Sequence, residues 1–73
     1  MKQPEPQIIQ YRIYIFDGGT KFYLRDWIVC DERDNLVFDA ELRYSMKFRR
    51  WDAAMKYREK MVQLGYHPHI EQV

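Results

Sequence analysis

Among the chain's 73 residues there is one cysteine, Cys30, so no disulfide can form within the chain. No Cys/His cluster offers a zinc site either, and a domain this small buries only about 60% of the surface its unfolded chain exposes. The usual staples of small folds are therefore missing, and packing must do the stabilising, helped by a partner or a second copy. Charge of one sign is also lacking: 12 Lys+Arg against 11 Asp+Glu give +1, which suits neither a nonspecific nucleic-acid coat nor an acidic DNA mimic. No apolar run approaches the length that crosses a bilayer. Residues 1–20 show no apolar run behind a basic start and no small-residue cleavage pattern, so a soluble, cytoplasmic protein is expected. What the chain does have is aromatic side chains, 16% of the total, more than a small core needs.

The longest periodic stretch is 49–65, RRWDAAMKYREKMVQLG. At 100° per residue its apolar positions, from Trp51 and Ala53 to Val62 and Leu64, form one arc of roughly 200°. Asp52, Lys56, Glu59, Lys60 and Gln63 fill the rest, and Gly65 stands where a helix C-cap belongs. Arg58 falls inside the apolar arc, where its stem can pack while its head reaches water. Trp51, Met55 and Val62 lie at one margin of an arc wider than one sheet face requires, which makes that flank a second contact surface.

The remainder reads as strands. Residues 1–7, with Pro4 and Pro6, are expected to be a disordered tail, and 8–73 a single domain. Residues 8–16 alternate, with Ile9, Tyr11, Ile13 and Ile15 on one side and Arg12, Tyr14 and Phe16 on the other. Asp17-Gly18-Gly19-Thr20 is a tight hairpin turn, since glycine tolerates the positive φ such turns require. Residues 21–31 form a second strand, with Phe22, Leu24, Ile28 and Cys30 opposed to Tyr23, Arg25, Trp27 and Val29. Asp26 interrupts the first set, which calls for a bulge near Asp26 and Trp27 or an edge position. A polar turn at 32–35 leads to 36–48, where Leu36, Phe38, Ala40, Leu42, Tyr44, Met46 and Phe48 alternate with polar residues as in a half-buried strand. The helix formers between Asp39 and Met46 allow a short helical turn instead. Residues 69–73 make a short final strand after Pro68. The expected fold is α+β: an antiparallel three-stranded meander, one long amphipathic helix across one face, and a last strand, in the order β-β-β-α-β.

The other sheet face would then carry Arg12, Tyr14, Tyr23, Arg25, Trp27 and Arg43, with Asp39 and Glu41. Aromatics interleaved with arginine suit a protein partner or stacked bases, and the two carboxylates favour a protein over a phosphate backbone. Lys47, Arg49 and Arg50 crowd the helix start beside Trp51, an end whose dipole favours anions. His67-Pro68-His69 supplies two imidazoles and no third ligand, so no metal or cofactor is expected. No residue pattern sets up a nucleophile or a split carboxylate pair, and no small-molecule substrate is expected, so the chain reads as a non-enzyme.

Three strands followed by a helix opening Phe48-Arg49-Arg50-Trp51-Asp52-Ala53-Ala54 resemble the arm-type DNA-binding domains of phage tyrosine integrases, whose sheet reads the major groove. From Tyr11 onward, with Leu64-Gly65-Tyr66 through Ile70 closing the pattern, the chain also resembles short uncharacterised phage and prophage proteins. That resemblance implies an accessory role such as binding a host protein. The expected function is a small interaction protein that binds a host protein or its own copy through the aromatic and arginine face or the helix flank. The alternative is a nucleic-acid-binding module using the same face and the helix start.

Overall fold

The computed structural model describes residues 9–73, and the tail expected at 1–7 lies outside them. The element order is β1 (Tyr11–Asp17), β2 (Thr20–Cys30), β3 (Arg33–Asp39), a 3-10 turn (Leu42–Tyr44), α1 (Trp51–Gln63) and β4 (His69–Gln72). The strands form one antiparallel sheet in the order β3-β2-β1-β4. The β-β-β-α-β architecture expected from the sequence is therefore the architecture found.

Local chemistry explains most of the elements. β1 and β2 join through Gly18 (φ 59) and Gly19 (φ 81), two left-handed residues in succession, as in the type I′ turn whose twist matches a hairpin. α1 begins after an extended Arg50, with no side-chain cap, so the helix starts two residues later than the expected 49. Its end is a Schellman motif. The Gly65 amide bonds the Val62 carbonyl and the Tyr66 amide the Met61 carbonyl, both at 3.0 Å, with Gly65 at φ 96. The core is small: Ile13, Leu24, Ala54 and Met61 are fully buried and Phe48 nearly so, ringed by Tyr11, Ile15, Tyr57 and Ile70.

Three expectations need correction. The long strand at 36–48 is absent: β3 runs Arg33–Asp39, and the chain then makes the 3-10 turn that the helix formers allowed. The reason is the neighbouring strand. β1 stays paired with β2 only as far as Tyr14 and Tyr23, and the chain after the turn fills the gap that opens. There the Met46 amide bonds the Leu24 carbonyl at 2.8 Å, and Phe48 forms a two-way bridge to Tyr11 at 2.7 and 3.1 Å.

The second correction concerns β2. A bulge between Leu24 and Asp26, close to where Asp26 required one, leaves Arg25 as the extra residue. Beyond it the side-chain parity reverses. Leu24 pairs with Phe38 and Trp27 with Leu36, so Trp27 and Val29 belong to the helix side, and Ile28 and Cys30 to the other. Third, the connection to β3 is the two-residue turn Asp31-Glu32 rather than 32–35, both residues having positive φ (51 and 61).

Candidate functional site

The open side of the sheet carries a built cluster around Tyr14. β1 holds Tyr14 between β2 and β4, in register with Tyr23 on one side and His69 on the other. His69 stacks on its ring at 5.2 Å with 23° between planes, and the Lys21 ammonium sits over it at 4.1 Å. Phe16 stands edge-on to both Tyr14 and His69, at 5.6 and 5.8 Å, and is 57% exposed. One Glu71 oxygen accepts from Lys21 Nζ at 3.0 Å and from the Tyr23 hydroxyl at 3.1 Å. The hydrogen bond to Glu71 holds the Lys21 pKa above its ordinary value, burial opposing and Tyr23 assisting. The Tyr14 ring is thus already engaged by an imidazole and an ammonium from the two flanking strands. His69 and Glu71 went unrecognised in the sequence as members of this face; their two-residue spacing on the final strand was the available signal.

The other expected residues do not converge there. Arg12 has the right parity but is 5% exposed, next to the two-way bridge between Tyr11 and Phe48. It donates to the Gln10 side chain at 2.8 Å and to the Tyr11 carbonyl at 3.3 Å; its Nε has no partner. Burial lowers its pKa, with Tyr23 acting against that. Arg25 pairs with Asp39 at 3.0 Å and lies over Tyr44, which also takes Arg43, itself paired with Glu41. Arg50 grips Asp52 through two bonds of 3.1 Å. Trp27 is on the opposite side, edge-on to Tyr57 at 5.4 Å, with its indole N–H donating to Asp34 at 2.9 Å. Trp51 is 53% exposed, touching Tyr11 at 5.5 Å. Lys47 and Arg49 are exposed and make no ion pair among the described residues.

A surface the sequence reading placed partly in the core stands out instead. Beyond the bulge β2 and β3 leave β1 and continue as a two-stranded arm, Asp26 to Cys30 paired with Arg33 to Val37. Ile28 (48% exposed) and Val37 (38%) mark one face and Val29 (68%) the other. The helix packs on β1 and β4, away from the arm's end. Open grooves border the helix, among them one of about 590 Å³ along its charged flank past Arg50, Lys56 and Lys60, one of about 390 Å³ beside Trp51, Met55, Arg58 and His69, and one of about 320 Å³ at its C-terminal end beside Val62, Tyr66 and His67. Among the described residues no three His, Cys, Asp or Glu side chains are grouped to hold a metal ion, and no helix is long and apolar enough to cross a membrane. Comparison with protein-family models, with curated proteins and with solved structures returned no match to this chain.

Proposed function

We propose that this chain is a small non-enzymatic interaction protein whose contact surface is the arm formed by β2 and β3. The carrying observation is that this arm exposes apolar residues on both faces, Ile28 and Val37 on one and Val29 on the other. A two-stranded ribbon alone in water is marginally stable, so a free ribbon with exposed apolar side chains on both faces is a natural place for a partner to bind. The resemblance to short phage proteins fits this as an accessory role directed at a host or self protein.

Support for the nucleic-acid alternative is thinner. Of its six cations Arg12 is buried, Arg25, Arg43 and Arg50 already hold carboxylates, and Lys47 and Arg49 remain. Two phosphate contacts give a log–log salt slope of only about −1.8. The open grooves also favour binding over catalysis, which needs enclosure.

The test is a photo-crosslinking residue at Val29, with one at Glu59 on the solvent side of α1 as control, in cells making the protein. Crosslinks to protein from position 29 and none from 59 are expected. Crosslinks to nucleic acid, or equal yields from both positions, sink the proposal.

A further inference from the structure

The arm's charges are arranged as two poles. Its tip carries Asp31, Glu32 and Asp34 against a single Arg33, while beside its root, where the Met46 amide bonds the Leu24 carbonyl, the chain continues through Lys47 and Arg49, which make no ion pair among the described residues. Tip and root cannot meet within one chain, because five strand residues separate them by roughly 17 Å. They are complementary in sign, one on the arm's tip and the other on the segment beside its root.

The arm also has a backbone edge that no other strand pairs with among the described residues. β1 accompanies β2 only through Thr20–Tyr23, so among the described residues nothing pairs with the far side of Asp26 to Cys30. The Trp27 amide donates to the side chain of Asp26 at 2.8 Å, which shows that it points out of the β2–β3 ladder. Strand alternation turns the Val29 amide the same way.

Resting on the reading of the arm as the contact surface, we propose that its occupant is a second copy of this chain, joined β2 to β2 in antiparallel register about a two-fold axis at Ile28. That axis sets Trp27 against Val29 of the other copy, twice, so the Val29 amide finds a carbonyl, the Trp27 amide exchanges the Asp26 side chain for one, and an aromatic meets a β-branched side chain on one face. On the opposite face the two copies of Ile28 meet. The same register brings the tip, Asp31 and Glu32, opposite Arg25 and Leu24 of the other copy, beside its Lys47 and Arg49. An isologous interface needs every contact to recur in reverse, and a chain carrying both poles, one at the arm's tip and one beside its root, satisfies that. Apolar residues on both faces follow naturally, since edge pairing buries neighbours on both sides of the ribbon.

Sedimentation of the full chain over a wide concentration range, at low and high salt, reads the outcome. Wild type is expected to dimerise, more weakly at high salt. Asp31→Lys/Glu32→Lys and Lys47→Glu/Arg49→Glu are each expected to weaken self-association about tenfold or more, because like charges then face each other. Mixed together, the two double variants should pair as wild type does, which also shows that both are folded. Val29→Glu should be monomeric. A wild type that stays monomeric, a dimer indifferent to Val29→Glu, or a mixture no better than its parts overturns the proposal. A monomer that still crosslinks from Val29 to a different protein overturns only the choice of partner; a monomer that crosslinks to nothing overturns the arm as well.

Discussion

The sheet contains two hairpins with the same local design and opposite fates. Both close on two residues of positive φ, Gly18-Gly19 in one and Asp31-Glu32 in the other. The first hairpin lies under the helix and beside β4, and it contributes the fully buried Ile13 and Leu24. The second passes the bulge at Arg25 and emerges from the body, where Val29 is 68% exposed. A single strand, β2, thus serves as core wall along one half and free ribbon along the other. What separates the halves is the partner on its far edge: β1 up to Tyr23, then the crossing segment at Leu24, then nothing among the described residues. Burial in so small a protein follows the count of layers over a strand more than the residues in it.

The sharpest way to break this contrast is truncation on each side of the bulge. In dilute solution Leu24→Ala should cost about 2–5 kcal/mol in urea unfolding, enough to unfold much of a domain this small. Val29→Ala should stay within about 0.5 kcal/mol under the same conditions. Comparable losses at both positions would mean the arm belongs to the core. A finer contrast lies in the turns. Nothing lies within 4 Å of a Cβ built on Gly19, so Gly19→Ala meets only backbone strain at φ 81 and should cost about 1–2 kcal/mol. Glu32→Gly should run the other way, relieving φ 61 and stabilising by up to about 1 kcal/mol, while removing tip charge and so weakening self-association. Thermal unfolding and sedimentation of that one variant measure the two effects separately.

The smallest expected effect is on pH. Lys21 has a folded-state pKa raised by its hydrogen bond to Glu71. Its contribution is therefore complete below the ordinary lysine value and is lost as pH rises through the folded-state value. Thermal unfolding followed from about pH 9 to about pH 12 should show a modest alkaline decline that flattens in Glu71→Gln, with the arm's residues unaffected. An equal decline in Glu71→Gln would assign the loss to other groups.

The hairpin turn at Gly18-Gly19, the helix with Gly65 beyond its end, the need for a bulge near Asp26 and the order of elements were all legible in the chain. Each rests on interactions between residues a few positions apart. The faces of β2 were not legible, because a bulge of one residue inverts every later side chain, and its position depends on what the strand packs against. Trp27 accordingly left the aromatic face and Ile28 left the core. Arg12 is buried although its alternation puts it on the open side, and His69 and Glu71 join Tyr14 because β4 pairs with β1. The sequence by itself determined the turns, the helix and the alternation, which are short-range consequences of φ preference and periodic burial. Only the tertiary structure decided which half of β2 would be covered, because covering a strand requires partners supplied by distant parts of the chain, and one helix with four strands reaches just so far.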